Sequence, residues 1–136
     1  MVTGRDRRTA ETGSAVVEFV LVSALVIGLL LAVLQVAVYV HVRNVIAASA
    51  QEGARYGANA DVDSVAGAER TTLLVSNALS EDTADGLTCT SREEPGEAGA
   101  VLVVVHCTGA VPSLFSPLGD LLSIDATGRA LKEGAG

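Results

Sequence analysis

The sequence is poor in the residues on which nucleic-acid binding and most catalysis depend. It contains no Trp, two Tyr, two Phe and two His, and its formal net charge is −7 at pH 7. Single-stranded nucleic acid is held by stacking on aromatic side chains and by cationic grooves, so these shortages argue against a nucleic-acid partner. His41 and His106 stand in no recognisable nucleophile or metal motif, and we therefore expect neither enzymatic activity nor a cofactor.

Long apolar runs are absent from most of the chain, and the one exception lies near the N-terminus. Phe19 to Val40 contains no charged residue. About 22 residues form about 33 Å of helix, which is enough to cross a hydrocarbon core of ~30 Å. A buried core helix is the alternative, but a domain this small cannot surround a helix that is apolar on every side. We predict a membrane-embedded helix over about residues 16–40.

Charge predicts the orientation of this helix. Arg5, Arg7 and Arg8 precede it, whereas Arg43 is a lone cation soon after it. Positive residues are retained on the cytoplasmic side, so residues 1–13 are predicted to be a cytoplasmic leader and the C-terminal part to be extracytoplasmic. The chain is thus expected to cross the cytoplasmic membrane once.

One acidic residue, Glu18, lies at the start of the apolar segment, in the string G-S-A-V-V-E-F from Gly13 to Phe19. A carboxylate at membrane depth costs about 2.5–3.5 kcal/mol on insertion scales, so it usually has a partner or a function. Two interpretations stay open. Glu18 pairs with a cation in an assembly, or it lies in the headgroup region of a plain anchor and has no role.

The helix is predicted to continue beyond the membrane. From His41 to Tyr56 the sequence contains no Pro, is rich in Ala and repeats its apolar residues at helical spacing. Gly57 and the polar residues after it favour a helix end at that point. We predict one helix over residues 14–57 and a small extracytoplasmic domain over residues 58–136.

Two rows of small residues lie along this predicted helix at intervals of four. The first row is Ala24, Gly28 and Ala32, and the second is Ser49, Gly53 and Gly57. This spacing puts each row on one helix face and lets another helix approach closely. The first row fits packing between helices in a bilayer or filament, whereas the second can instead seat the chain's own following strands. Richness in Ala and Gly alone explains both rows equally well.

The remaining sequence predicts a second helix from Asp63 to Leu79, with Asp61 or Asp63 as its cap. The expected buried face of this helix is an imperfect apolar stripe. Its members are Val62, Val65, Ala66, Leu73, Leu74 and Ala78.

After Asp85 the pattern changes to that of a short antiparallel sheet. Three strands are predicted, over Leu87–Arg92, Val101–Thr108 and Leu121–Leu131. A polar turn separates the first two strands, and a Pro-bounded loop from Val111 to Leu118 precedes the third. The predicted fold class is therefore α+β, with a long N-terminal helix, a second helix and a short antiparallel sheet.

Cys89 and Cys107 both fall in the part that is predicted to be exported, where an oxidising compartment allows them to pair. A disulfide between them would contribute about 3 kcal/mol of stability. In the shortest hairpin register the two residues do not face each other, so the bond needs a longer loop or a bulge. A metal site with His106 is the alternative. His106 and Cys107 point to opposite faces of a strand, however, so we expect no metal.

Three stretches together resemble the TadE-like family, a group of pseudopilins of the tight-adherence (Tad, or Flp) pilus system. The first, Gly13 to Phe19, is similar to a type IV pilin-like processing signal, and the second is the apolar helix. The third, Ala47 to Ala58, is similar to the alanine-rich "EGARYA" segment that is characteristic of the family. Many members have Tyr where this chain has Phe19.

The resemblance implies a minor pilin-like subunit that a prepilin peptidase cuts between Gly13 and Ser14. The new α-amine of Ser14 would be positively charged near neutral pH and would pair with Glu18 of a neighbouring subunit, which sets the register between subunits. Phe19 belongs to the same motif. The implied partners are the cytoplasmic membrane, the peptidase, other pilin or pseudopilin subunits and the pilus assembly platform. The implied roles are pilus assembly, adhesion or secretion.

Two other functions stay open. A signal-anchored single-pass envelope protein would keep its leader and tether a small exported interaction domain. An ordinary secreted protein would be cut after the apolar run, beyond Val40.

Overall fold

The computed structural model describes the backbone of residues 6–110 and 123–134 and the side chains of residues 13–110 and 123–134. The described helices are α1 (Asp6–Ala58), α2 (Ala66–Ala78) and α3 (Glu81–Asp85). The described strands are β1 (Leu87–Pro95), β2 (Val101–Ala110) and β3 (Ser123–Leu131). The predicted α+β class, with its long apolar N-terminal helix, is confirmed. The predicted loop Val111–Leu118 and residues 121–122 of the predicted third strand lie outside the described residues.

The chain divides into two compact units, Met1–Ala37 and Val38–Gly136, and the division falls within α1. In the first unit the large apolar side chains of α1 are exposed on all sides of the helix. Phe19 and Leu25, for example, are 73% and 72% exposed. By length and composition this helix can cross a membrane. A helix that is apolar all round is stable when lipid or protein surrounds it, so it is compatible with a single-pass membrane anchor.

The second unit contains a sheet in the order β1-β2-β3, with both pairs antiparallel. β1 and β2 form a hairpin whose register pairs Pro95 with Val101. The loop between them runs from Gly96 to Ala100 and is closed by a 2.8 Å hydrogen bond from the Gly96 N–H to the Ala100 carbonyl. β1 is longer than predicted because the charged residues before Pro95 pair with the valine-rich strand. β2 is longer than predicted because Gly109 pairs with Leu87 and Ala110 pairs with Ser123.

One face of the sheet supplies the core of the second unit together with α1 and α2. Its largest buried side chains include Ile46 of α1, Val75 of α2, Val105 of β2 and Ile124 of β3, each at most 1% exposed. Burying an apolar side chain of this size contributes about 1.5–3 kcal/mol. The second unit therefore has a hydrophobic core of its own.

α2 begins at Ala66, later than predicted, because the residues before it form a turn. The Asp63 carboxylate accepts a hydrogen bond from the Val65 N–H at 3.0 Å, and the Asp63 carbonyl accepts one from the Ala66 N–H at 2.9 Å. Asp63 therefore stabilises the turn. The residue at the N-cap position is Val65, which makes no side-chain capping bond, so the predicted aspartate cap is wrong.

The predicted apolar stripe of α2 is also wrong. The buried residues of α2 are Gly67, Thr71 and Val75. Val65 and Leu73, which the stripe would bury, are 67% and 50% exposed. α2 turns Gly67 and Thr71 inward because the backbone of α1 lies directly against them, and Val75 further along the same face enters the core.

The short helix α3 has no counterpart in the sequence-based prediction. Ser80 caps it by accepting a hydrogen bond from the Thr83 N–H at 3.1 Å. Glu81 and Asp82 then occupy the first turn, where negative charge is favourable. The signal was present in the sequence as a serine followed by two acidic residues.

Candidate functional site

The predicted processing and register residues, Gly13, Ser14, Glu18 and Phe19, lie in one stretch of α1 and are all exposed. A methyl group added at Gly13 would meet no atom within 4 Å. Among the described side chains, Glu18 forms no ion pair and no hydrogen bond. Packing within the described chain therefore explains neither the glycine nor the acid, and their roles stay predictions.

The first row of small residues, Ala24, Gly28 and Ala32, is exposed as well. Gly28 is as open as Gly13, since an added methyl group would meet no atom within 4 Å. The predicted contact of this row with another helix therefore stays a prediction, and it concerns residues that are exposed in the part of the chain that the structure describes.

The second row, Ser49, Gly53 and Gly57, is in contrast buried, and α2 packs against it. A Cβ atom on Gly53 would overlap the Thr71 hydroxyl and lie 2.5 Å from the Gly67 carbonyl oxygen. The Thr71 hydroxyl lies 2.8 Å from that same carbonyl and 3.3 Å from the Ser49 carbonyl of α1. Thr71 is fully buried, so its single proton is satisfied at the contact between the two helices.

The contact is close on both helices. A Cβ atom on Gly57 would lie 3.0 Å from the Ser64 carbonyl oxygen, and a Cβ atom on Gly67 would lie 2.9 Å from the Gly53 carbonyl oxygen. The backbones of α1 and α2 therefore approach at a distance that only glycine allows. The residues that pack on the second row belong to α2 and to the turn before it. The prediction that this row packs against the following strands is therefore wrong.

The sheet lies on the neighbouring face of α1. Ala50 and Ala54 are fully buried. A Cβ atom on Gly128 of β3 would overlap the carbonyl group of Ala50. The upper part of α1 thus presents two adjacent rows of small residues, one to α2 and one to the sheet.

α1 also covers the outer edge of β3. The side-chain amide of Gln51 donates to the Arg129 carbonyl at 2.7 Å and accepts from the Arg129 N–H at 3.2 Å. Near the start of the strand, the Tyr39 hydroxyl donates to the Ser123 carbonyl at 3.4 Å. These contacts occupy backbone groups that could otherwise pair with a strand of another chain.

Lys132, the only lysine in the sequence, was not among the predicted site residues. Its Nζ donates to the Gly57 carbonyl at 3.1 Å, to the Val62 carbonyl at 2.8 Å and to the Ser64 hydroxyl at 3.0 Å. It also lies 3.8 Å from a Glu93 carboxylate oxygen. The ammonium group therefore joins the end of α1 and the turn before α2 to the sheet. No local pattern indicates this, because the acceptors are mostly backbone carbonyls far away in the sequence.

Cys89 and Cys107 form the predicted disulfide between β1 and β2. They occupy directly opposed positions in the strand register. In the shortest hairpin register the two cysteines would not face each other. The five-residue loop Gly96–Ala100 brings them opposite each other without a bulge.

The described residues contain no group of three or more His, Cys, Asp or Glu side chains that could hold a metal ion. His106 Nε2 instead lies 2.9 Å from Asp125 Oδ1, a contact between β2 and β3. Cys107 is fully buried in the core.

Comparison with known proteins gives one match. Residues 13–55 match the model of a family described as TadE-like protein. The predicted resemblance is thereby confirmed over the processing motif, the apolar helix and the first part of the alanine-rich segment, and it indicates a protein associated with the Tad pilus. Neither a curated protein nor a solved structure matches the chain.

Proposed function

We propose that this chain, whose residues 13–55 match the TadE-like family, is a minor pilin or pseudopilin of a Tad pilus that a prepilin peptidase processes. One observation carries the proposal: the matched segment contains a glycine, an acid and a row of small residues that are exposed and whose presence the contacts of the described residues do not explain. A signal-anchored tether needs none of these three features. An assembling subunit uses all of them, for processing, register and helix packing.

The peptidase step would be hydrolysis of the Gly13–Ser14 peptide bond. Water adds at the Gly13 carbonyl, the C–N bond breaks, and the products are a carboxylate on Gly13 and an amine on Ser14. α1 is helical across this bond, so a protease must locally unwind it. Glycine lowers helix stability by about 1 kcal/mol relative to alanine and has no side chain that would shield the bond.

The new amine of Ser14 would then supply the charge that Glu18 lacks within the described chain. A charge buried at membrane depth is costly unless it is paired. An ammonium–carboxylate pair between neighbouring subunits offsets that cost and fixes their axial register. The pairing connects processing to assembly, because the uncut leader has no α-amine at this position.

Mass spectrometry of the mature N-terminus tests the proposal. We expect the chain to begin at Ser14, and we expect the uncut form when the peptidase is deleted or when Gly13→Ala is introduced. Gly28→Ala is the matched control, because Gly28 lies in the same helix with equally open surroundings. An intact leader on the wild-type chain would favour the tether instead, and an N-terminus beyond Val40 would indicate an ordinary secreted protein.

A further inference from the structure

A groove on the second unit holds a cation that has no acidic partner among the described residues. The guanidinium carbon of Arg70 lies 5.5 Å from the centre of the Tyr56 ring. The ion pairs of the described residues do not include Arg70, and its Nε is buried without a hydrogen-bond partner. Tyr56 and Leu73 beside it are 40% and 50% exposed. Together with Ala66 and Glu69, these residues line a groove of about 340 Å³, here called the α1–α2 groove.

The α1–α2 groove has the composition of a protein-binding surface. Tyrosine and arginine are the residues that most often dominate binding energy at interfaces, and an exposed leucine adds apolar area. A guanidinium that stacks on an aromatic ring keeps its outer N–H groups free to bind a carboxylate in a fixed orientation. The groove therefore fits a segment that presents one carboxylate beside an apolar surface.

The same chain carries such a segment at the β1–β2 hairpin. Glu97 is exposed and forms no ion pair among the described residues. It lines a second groove of about 560 Å³ with Gly96, Ala100, Leu102 and Leu131, here called the hairpin groove. Leu131 is 64% exposed, so it adds apolar area to this groove. Both grooves are lined in part by apolar side chains, and Arg70 of the first groove and Glu97 of the second are charges of opposite sign that form no ion pair among the described residues.

We infer that the α1–α2 groove of one copy binds the hairpin groove of a second copy, with Glu97 paired to Arg70 and Leu131 packed against Leu73. A contact between two different surfaces repeats from subunit to subunit and can build a filament, whereas a two-fold contact would use both grooves of each copy at once and stop at a dimer. This inference rests on the proposed function, because it names the contact between subunits in the part of the chain beyond the apolar segment.

The charge pair would act mainly on orientation and partner choice. The chain has a formal net charge of −7, so copies repel one another unless their few cations face acids. An exposed pair contributes little affinity but penalises wrong partners. Membrane anchoring confines the copies to one surface and raises their effective concentration, so a weak contact is sufficient.

The test uses the full-length chain in its native membrane, with a photo-crosslinking amino acid in place of Leu73. We expect a product of twice the chain mass, in which peptide mapping joins position 73 to the peptide that contains Glu97 or to the one that contains Leu131. R70E and E97R should each lower the yield several-fold. The double variant R70E/E97R should restore it, because the charges are exchanged.

R70E/D61R is the matched control, since Asp61 is an exposed acid in the turn before α2 and lines neither groove. This pair restores the same net charge and should not restore the crosslink. A product with a different protein, no product at all, or rescue by both pairs alike would overturn the inference. Resistance of each variant to protease confirms that it is folded.

The N-terminus is sequenced in the same preparation, which separates the two proposals. A chain that begins at Ser14 but gives no product contradicts only the groove contact. A chain that keeps its leader contradicts the pilin proposal, whatever the crosslink shows.

Discussion

Gly53 of α1 and Thr71 of α2 are in direct contact, and no side chain fits between them at position 53. Gly53 lies within the TadE-like segment, residues 13–55, whereas Thr71 lies beyond it. The last turns of the matched segment are therefore the surface on which α2 is built. This explains physically why a segment with an apolar anchor ends in small residues such as Ala50, Gly53 and Ala54, which let α2 and the sheet approach its backbone.

Gly53→Ala is expected to lower the free energy of unfolding of the second unit by about 1–3 kcal/mol, because the new methyl group overlaps Thr71 and forces α2 away. Thermal unfolding of the full-length chain in detergent, followed by circular dichroism, measures the loss. Gly28→Ala is the control, since Gly28 has open space around it. A melting temperature for Gly53→Ala equal to that of the control would contradict the close contact.

Lys132→Met should destabilise the turn between α1 and α2. The substitution keeps the apolar stem but removes the ammonium group, so the carbonyls of Gly57 and Val62 lose a charged donor. Hydrogen bonds to charged groups contribute about 1.5–3 kcal/mol each when buried, and the site is partly open to water, so we expect about 1–3 kcal/mol in total. Faster amide hydrogen exchange over residues 59–65 is the specific readout.

Arg129→Met is the matched control for Lys132→Met. Arg129 is a nearby exposed cation that contacts Gln51 through its backbone only, and those bonds survive the substitution. If both variants exchange at the wild-type rate over residues 59–65, the ammonium group has no part in holding that turn.

Reduction of the Cys89–Cys107 disulfide should lower the free energy of unfolding by about 3 kcal/mol, because the bond limits the freedom of the unfolded chain. The midpoint of thermal unfolding with and without dithiothreitol measures the effect. A chain with both cysteines replaced by alanine should melt at one temperature in both buffers. If reductant shifts its midpoint as far as that of the wild type, the effect does not come from this bond.

Glu18→Ala should leave membrane insertion and processing intact but prevent association with other pilus subunits, because the pairing partner of the Ser14 amine is lost. Recovery of tagged subunits from sheared pili, compared with their recovery from membranes, measures this. Glu52→Ala removes an exposed acid from the same helix within the second unit and should assemble normally. Normal incorporation of the Glu18→Ala chain into pili would refute the register role.

Much of the architecture was accessible from the sequence, because it depends on neighbours along the chain. The uncharged run from Phe19 to Val40 requires a helix in lipid, since only a helix satisfies its backbone there. The valines from Val101 to Val105 predict a strand, and the polar residues before them predict the hairpin. The serine cap of α3 was detectable by the same local rule and was missed.

The tertiary structure alone decided which faces meet. The buried side of α2 could not be inferred from hydropathy alone, because the close approach of Gly67 to Gly53 turns inward a face on which only Val75 is a large apolar residue; Leu73 lies off that face and is exposed. The Lys132 ammonium group donates hydrogen bonds to the carbonyls of Gly57 and Val62, which lie about 70 residues earlier in the sequence. The sequence by itself determined that there is an apolar helix, an α+β unit and a cysteine pair. Only the tertiary structure placed Arg70 over the Tyr56 ring and α2 against Gly53. Such contacts depend on distances between segments that are separate in the sequence, and local patterns do not encode those distances.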